Sequence, residues 1–403
     1  MHALTLVLTL LAPWTNRPSD PQAIPIRDVR VVIARAASRV RIRMDDGLKL
    51  DLADTDSLIL PASEKRFQVA SDTKGSLRLS GVARSVETVQ ISPTRQDTLQ
   101  LQVFHDERWQ EERTYPGSLR VVAIEGGGLD LINHVNIERY VAAVVAQEVW
   151  PTFVDEALRA QAVAARTFVL FHMKHRNNAP HDVVATQGSQ VYQGVRDDKT
   201  GRRAVQATAD TKGLALTWAD GGTPEIFCAY YSAVCGGMSQ SASIFGAIND
   251  IAPLAGGVRC TYCKDAPGNT YRWGPVKISL DDLRSRLVDR LGKLKSLGRL
   301  RDITVVEKTP SGRAIRLQLV GSKGESDEMT AERFRLIVDP NRILSTDFQL
   351  SVRNGIATFD HGKGFGHGLG LCQWGMQGQA LAGRPAGEIL RYYYPGATIT
   401  RVY

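Results

Sequence analysis

Residues 154–174 read VDEALRAQAVAARTFVLFHMK, and this stretch decides the fold of the central part of the chain. Its composition predicts a helix from about Val154 to about Lys174, because alanine favours helix more than any other residue. The alanines are Ala157, Ala160, Ala162, Ala164 and Ala165. Side chains this small let another backbone approach closely, so we expect a buried helix at the centre of the domain.

A strand, a turn, a second strand and another helix precede this segment. Residues 119–124 and 129–132 are apolar runs on either side of the glycine turn 126–128. Asn136 is a favourable N-cap for the helix that follows over 137–149. The sequence therefore predicts a hairpin that leads directly into a helix.

The chain after the central helix mixes both kinds of element without a regular strand–helix rhythm. In chain order we predict strands at 214–218 and 226–231, a helix from Asp281 behind a Ser279 cap, and a hairpin at Pro310-Ser311-Gly312 joining 303–306 to 314–320. This order favours an α+β domain over a regular α/β one. We expect this domain to span 119–403.

Residues 26–118 alternate repeatedly between apolar and polar side chains, which is typical of strands with one buried face. Residues 40–44 and the pair Leu48 and Leu50 flank Asp45-Asp46-Gly47, the pattern of a hairpin. We therefore predict a small β-rich accessory domain, without catalytic groups, before the main domain.

The first 25 residues differ from the rest. Residues 4–12 read LTLVLTLLA, an apolar run suited to a signal peptide and too short to span a membrane. Residues 16–25 contain three prolines and suit a linker. We expect an export segment, with a buried first strand as the alternative, and hence a periplasmic or wall-associated protein.

Composition excludes several classes of protein. The 403 residues are 43% hydrophobic and 23% charged, as in ordinary globular proteins and unlike disordered, collagenous or coiled-coil chains. The formal net charge of +8 is modest for this length. It suits an anionic polymer as a partner, and without clustering it does not indicate nucleic acid.

Glu148 is the most informative polar residue. It follows Val144 and Val145 on the helix face that also carries Tyr140, so its carboxyl group points towards the apolar side. Burial and the nearby helix C-terminus both disfavour the charged form and raise its pKa, as a general acid near neutral pH requires. The alternative is a structural carboxylate paired with an arginine such as Arg166.

A glycine-rich segment over 364–370, GFGHGLG, holds His367 among small residues and precedes Cys372, Gln373 and Trp374. Alternating glycines let a ligand approach the backbone, which predicts a ligand site. A cysteine hydrolase with Cys235 as nucleophile and His367 as base is an alternative, but no local signature supports it.

Five cysteines occur, all in the second half of the chain. Cys260 and Cys263 form a C-x-x-C pair, and Cys235 and Cys228 are the nearest further thiols. These four could hold a structural zinc ion or form two disulfides, and export favours disulfides.

Several motifs in order resemble the stage II sporulation protein D family, the SpoIID/LytB domain. They are YVAAVVAQE over 140–148, EALRAQAVAART over 156–167, QVYQG over 190–194, Tyr231-Ser232, Cys235-Gly236-Gly237, Leu344-Ser345-Thr346, Gly366-His367-Gly368 and Gln373-Trp374-Gly375. The resemblance covers about 119–403 and leaves the first hundred residues uncovered.

The resemblance implies a peptidoglycan lytic transglycosylase. Such enzymes cleave the glycan strand between N-acetylmuramic acid and N-acetylglucosamine and leave a 1,6-anhydromuramic end. It implies Glu148 as the catalytic acid, with no cofactor required. The substrate-contacting residues it implies are Gln161, Arg166, Tyr192, Ser232, His367 and Gln373.

The chain departs from this family at one metal site. Some members bind zinc through two cysteines and a histidine before the Q-V-Y motif, where this sequence has Val184, Ser189 and Gly188. The family name also implies a rival function, a non-catalytic wall-binding protein that enhances a separate amidase. We expect peptidoglycan glycan strands as the partner in either case, with an amidase as a further partner.

Overall fold

The computed structural model describes residues 27–52, 57–83, 85–322 and 324–403, with the backbone alone for Lys293. The predicted export segment and linker lie outside these residues. Within the described ranges, none of the helices is long and apolar enough to cross a membrane.

Strands are the regular elements of the described chain before the first helix, and turns and loops join them. They are β1 (Val29–Ala37), β2 (Arg39–Met44), β3 (Leu48–Leu52), β4 (Ser57–Leu60), β5 (Ser63–Ser71), β6 (Leu77–Leu79), β7 (Thr88–Pro93), β8 (Thr98–His105), β9 (Arg108–Trp109), β10 (Arg113–Pro116), β11 (Ser118–Ala123) and β12 (Leu129–Val135). A thirteenth, β13 (Val183–Val184), joins them from beyond the central helix. Their alternate side chains are buried, which confirms the prediction of a β-rich N-terminal region.

These strands form two sheets that contribute to one hydrophobic core. The order of the first is β13-β1-β12-β11-β7-β3-β4, and that of the second is β10-β8-β2-β5-β6 with β9 on β8. Strands β11 and β12 pair with each other and with β7 and β1. The boundary expected between residues 118 and 119 therefore falls within a single sheet.

The predicted hairpin at Asp45-Asp46-Gly47 is wrong. Strand β2 pairs with β5 and β8, whereas β3 pairs with β4 and β7 in the other sheet. Both strands bury alternate residues, such as Ile42 and Leu50, as the pattern predicted. The turn, with Gly47 at φ +76°, carries the chain from one sheet to the other, which alternation alone does not reveal.

Seven helices lie in the described residues. They are α1 (Ile137–Glu148), α2 (Asp155–His175), α3 (Lys199–Asp210), α4 (Leu280–Arg290), α5 (Ala331–Val338), α6 (Gln373–Leu381) and α7 (Ala386–Tyr393). The Asn136 side chain accepts a hydrogen bond from the Glu138 N–H and caps α1 as expected. Helix α2 is the buried central helix, since all five of its alanines are fully buried.

The remaining strands form small sheets around these helices. They are β14 (Leu214–Trp218), β15 (Glu225–Ile226), β16 (Tyr231–Ser232), β17 (Arg272–Trp273), β18 (Val276–Ser279), β19 (Leu300–Lys308), β20 (Ala314–Gly321), β21 (Ser326–Thr330), β22 (Gln349–Arg353), β23 (Ile356–Asp360), β24 (Gly362–Lys363), β25 (Leu371–Cys372) and β26 (Thr398–Arg401). Short 3-10 helices lie at Ala242–Phe245, Ala247–Asn249, Ala252–Leu254, Tyr262–Asp265 and Gly292–Leu297. The predicted hairpin at Pro310-Ser311-Gly312 is present as β19 and β20.

A second hydrophobic core lies between Trp273 and Phe359 and contains Leu283, Leu317 and Phe334. The chain then returns to the first core through Leu369 and Leu371. Helices and strands mix in both cores, which confirms the predicted α+β class. Strand β25 pairs in parallel with β16, and this pair brings the start of α6 towards the end of α1.

Candidate active site

Glu148 is the last residue of α1, and a backbone donor and a side chain hold its carboxylate. The Val191 N–H donates to Oε1 over 2.8 Å. Gln373 Nε2 lies 3.5 Å from Oε2 and 3.3 Å from the backbone oxygen of Glu148. Three segments that are distant in sequence therefore meet at one carboxyl group.

Burial raises the pKa of Glu148 above its ordinary value. Hydrogen bonds from Val191, Gln373 and Tyr231 oppose that shift because they favour the charged form. The carboxyl group also lies at the negative end of the α1 dipole, which favours protonation. The result is a positioned carboxyl group that keeps its proton to higher pH than an exposed glutamate.

Gln373 is fixed by the start of α6. The Trp374 N–H donates to the Ala233 carbonyl over 3.1 Å, and Gln373 Nε2 lies 3.4 Å from Gln161 Oε1. One turn later, Gln377 Oε1 accepts from the N–H of Val154, in the loop that follows Glu148. Helix α6 thus packs against both ends of the connection between α1 and α2.

A chain of buried hydroxyl and amide groups lies beside Glu148. Tyr140 Oη donates to Gln190 Oε1 over 3.0 Å, and Gln190 Nε2 donates to Tyr231 Oη over 3.0 Å. Burial raises the pKa of both tyrosines well above the ordinary value, so both are neutral donors. Tyr231 and Val191 were absent from the predicted site residues, although both lie in the motifs that carry the family resemblance.

His367 and Ser232 both lie beside Tyr231, His367 through a hydrogen bond to its backbone and Ser232 as the next residue of the chain. His367 Nδ1 accepts from the Leu369 N–H over 3.0 Å, and the ring also bonds to the Tyr231 backbone. Burial lowers the pKa of His367 to about 4, so the ring is neutral near pH 7. Ser232 Oγ and Gln161 Nε2 are buried and have no hydrogen-bond partner among the described residues.

Arg166 and Tyr192, two of the predicted substrate-binding residues, bond to other side chains and are not among the groups that hydrogen-bond to Glu148. Arg166 is fully buried and pairs with Glu138 at the start of α1, with Nη2 2.6 Å from Oε2. Tyr192 is equally buried and donates to Asn133 Oδ1 over 2.6 Å. Both side chains face inward from motif positions, and a motif match does not distinguish a structural contact from a substrate contact.

An exposed aromatic side chain lies next to the site and was not predicted. Trp150, two residues after Glu148, is 52% exposed, and its ring lies 5.9 Å from that of Trp374. Trp374 in turn packs edge-on against Phe153 at 5.1 Å. A tryptophan directly after a predicted catalytic helix was the sequence signal that could have identified it.

Four thiols form a cluster, but one of its members is not among the four that the sequence predicted. The sulfurs of Cys235, Cys260, Cys263 and Cys372 all lie within 4.8 Å of one another, and none of the five cysteines is in a disulfide. Cys228 is not part of the cluster, since its sulfur lies 3.8 Å from His172 Nε2. The fourth thiol is thus Cys372, which is remote from the others in sequence but adjacent through the pairing of β25 with β16.

A cavity of about 620 Å³ lies elsewhere, near the start of α1. Its lining includes Ile137, Glu138, Ala142 and Tyr403 and does not include Glu148. Glu138 is the carboxylate that pairs with Arg166 and accepts from the Tyr403 hydroxyl, so it is already neutralised. The chemistry therefore favours the surroundings of Glu148 as the active site.

Known proteins are similar to this chain over most of its length. The family model described as stage II sporulation protein matches residues 125–218, and a domain of unknown function, DUF8618, matches 261–370. An uncharacterized protein of Brachyspira hyodysenteriae is 33% identical over 71% of this chain and 72% of its own length. Stage II sporulation protein D of Bacillus subtilis is 27% identical over 67% of this chain and 76% of its own length.

A third match is short. The amidase enhancer of Bacillus subtilis is 51% identical over 39 residues, which are 10% of this chain and 6% of that protein. The first family match contains α1, α2 and Glu148, and the second contains the hydrophobic core between Trp273 and Phe359. The chain therefore contains a domain of the stage II sporulation protein family over residues 125–218 and is similar to stage II sporulation protein D over about two thirds of its length.

Proposed function

We propose that the protein is a peptidoglycan lytic transglycosylase that uses Glu148 as its general acid and base. The observation that carries the proposal is the state of this carboxyl group. Burial raises its pKa while Val191 and Gln373 hold both of its oxygens. A protonated, oriented carboxyl group is what cleavage of a glycosidic bond requires.

The reaction needs a single carboxyl group. Protonated Glu148 donates its proton to the glycosidic oxygen that leaves with N-acetylglucosamine. The carboxylate then removes the proton from the 6-hydroxyl of the muramic sugar, and that oxygen attacks the anomeric carbon. The C1–O bond to the leaving sugar breaks, a C1–O6 bond forms, and Glu148 ends protonated.

The proposed reaction differs from ordinary glycoside hydrolysis in the number of carboxyl groups that it uses. Hydrolysis commonly uses two carboxyl groups, about 5–5.5 Å apart in retaining enzymes and about 6.5–9.5 Å apart in inverting ones. The described groups that act on the pKa of Glu148 are Val191, Gln373 and Tyr231, and none of these is a carboxylate. Attack by the 6-hydroxyl of the same sugar needs no second carboxyl group.

Polar and aromatic groups around Glu148 suit a glycan strand. Gln161 and Ser232 are buried next to Gln373 and Tyr231, and each keeps one polar atom without a partner among the described residues. Gln373 contacts Glu148, the neutral His367 ring bonds to the Tyr231 backbone, and the exposed face of Trp150 can stack against a sugar ring. We assign these residues to the substrate cleft.

This function places the protein outside the cytoplasm. Peptidoglycan lies beyond the membrane, so the proposal requires export to the periplasm or wall. The net charge of +8 suits an acidic wall polymer as substrate. No cofactor takes part in the chemistry that we propose.

The amidase enhancer match favours a second candidate, a wall-binding protein that stimulates a separate amidase without cleaving glycan itself. In that case Glu148 would contribute to binding or folding alone. Only the transglycosylase forms a 1,6-anhydromuramic end, so this product distinguishes the two functions.

Purified protein should therefore be incubated with glycan strands, with and without their stem peptides, and the products analysed by mass spectrometry. The transglycosylase predicts new 1,6-anhydro ends that the wild type forms and Glu148→Gln does not. Glu125→Gln, a change at an exposed glutamate in the turn before β12, should behave as wild type. Binding without new ends, together with stimulation of an amidase, would favour the second candidate.

A further inference from the structure

Four buried cysteines converge on one point beside the active site. The sulfurs of Cys235, Cys260, Cys263 and Cys372 lie within 4.8 Å of one another, and each residue is at most 1% exposed. They come from three separate parts of the chain: Cys235 after β16, Cys260 and Cys263 before and within the 3-10 helix at Tyr262–Asp265, and Cys372 at the end of β25. Filling a hydrophobic core would not by itself bring four thiol groups together, so the cluster indicates a specific role for the sulfurs.

The spacing suits a single tetrahedral metal ion. Zinc–sulfur bonds of about 2.3 Å place the four sulfurs of a tetrahedral site about 3.8 Å apart. Cys235 Sγ and Cys263 Sγ are 3.7 Å apart. A disulfide would need a separation of about 2 Å, and none of these pairs is bonded.

Hydrogen-bond donors already point at the sulfurs. The Cys235 N–H donates to Cys372 Sγ over 3.2 Å, and Tyr393 Oη lies 3.0 Å from Cys260 Sγ. Gly375 is required beside them, because a β-carbon there would collide with both Cys260 Sγ and Tyr393 Oη. Outer donors of this kind orient metal ligands and stabilise thiolates.

A buried cation also lies against the cluster. Arg313 is 1% exposed, and its Nη2 donates to the Cys235 carbonyl over 2.7 Å. One zinc ion with four thiolates carries two net negative charges, which are costly to bury without compensation. The guanidinium group of Arg313 supplies part of that compensation, and it also lies within electrostatic range of the carboxylates of Asp347 and Glu332.

We propose that Cys235, Cys260, Cys263 and Cys372 bind one zinc ion in a structural tetrathiolate site. Cys372 is the N-cap of α6, and the next residue is Gln373. Cys235 follows the strand that carries Tyr231. The metal therefore links the two segments that supply side chains to Glu148, and this positioning role rests on the function proposed above.

Metal analysis of the purified full-length protein tests the site directly. We expect one zinc per chain by mass spectrometry of the elements, and release of that zinc by a thiol-blocking reagent. Cobalt in place of zinc should give the visible absorption of tetrahedral cobalt thiolate. Wild-type protein that carries no zinc, stoichiometric iron in its place, or two disulfides would overturn the proposal.

Matched serine variants assign the ligands. Cys372→Ser and Cys263→Ser should weaken zinc binding at least about tenfold, since even an outer partner is worth about 10–100-fold. Cys228→Ser should keep one zinc per chain, because that sulfur contacts His172 instead. Equal loss of zinc from Cys228→Ser and Cys372→Ser would contradict the assignment.

The zinc site and the glycan chemistry can fail separately. Glu148→Gln should retain one zinc while losing glycan cleavage. Chelation should lower both the melting temperature and the cleavage rate of the wild type. Bound zinc without any anhydro product would support the metal site and refute the transglycosylase. Glycan cleavage by a chain that carries no zinc would support the transglycosylase and refute the metal site.

Discussion

Gln373 and Glu148 are 225 residues apart in the chain, yet Gln373 Nε2 lies 3.3 Å from the backbone oxygen of Glu148 and 3.5 Å from Oε2. The contact joins the first residue of α6 to the last residue of α1. It makes the position of the proposed acid depend on the parallel pairing of β16 with β25, which delivers α6 to this place.

Gln373→Ala should slow glycan cleavage and shift its pH profile. The amide donates to the carboxylate and so lowers the pKa of Glu148, and its removal should raise that pKa further. We expect kcat to fall and the alkaline limb of the profile to move to higher pH. Gln206→Ala on α3, where the amide contacts only Asp210 among the described residues, is the control. An unshifted profile would contradict the role of Gln373.

Arg166→Met should destabilise the fold rather than the chemistry. The substitution leaves Glu138 without its buried partner, and breaking such a pair costs about 3–5 kcal/mol. Urea unfolding measures the loss, and cleavage per folded molecule should stay near wild type. Arg202→Met removes an exposed pair with Asp197 and should cost less than about 1 kcal/mol. An Arg166→Met variant that is stable but inactive would contradict a purely structural role and indicate that Arg166 contacts the substrate.

Trp150→Ala should weaken glycan binding with little change in stability. The ring is 52% exposed, so its removal leaves no large cavity. An aromatic contact worth about 1 kcal/mol corresponds to roughly a fivefold rise in KM. Trp150→Phe should recover part of the loss. An unchanged KM for long glycan strands would show that sugars do not stack at this position.

The protonation of Glu148 should also be visible in stability. Its pKa is raised above 4.5 in the folded state, so the native protein binds more protons than the unfolded chain between 4.5 and the raised value. Stability from this group is therefore lost as pH rises through that window. Glu148→Gln does not titrate, so its unfolding free energy relative to wild type should increase over the same range. A constant difference across pH would indicate an unshifted carboxyl group.

The elements that sequence predicted well have local causes. The Asn136 cap, the alanine-rich α2 and the hairpin at Pro310-Ser311-Gly312 depend on neighbouring residues, and all three are present. The hairpin at Gly47 failed because alternation reports burial and not which sheet a strand joins.

In the candidate site, too, residues with a local sequence signal were easier to predict than residues that distant segments bring together. Glu148 was predicted from its helix face together with the family resemblance, whereas its donors Val191 and Tyr231 and the fourth thiol Cys372 depend on long-range pairing. Arg166 and Tyr192 were predicted as substrate contacts from family motifs, and their hydrogen bonds to Glu138 and Asn133 could not be read from those motifs. Long-range geometry was the missing information in each case.

Whether Glu148 transfers the proton can be measured from the 1,6-anhydro ends that the protein produces. Glycan strands without stem peptides are incubated with wild type and with Glu148→Gln at equal concentrations of folded protein, and the 1,6-anhydro ends are counted by mass spectrometry. The account predicts ends that accumulate with wild type and stay at the level of a protein-free control with the variant. Anhydro ends formed by Glu148→Gln at half the wild-type rate or more would contradict it.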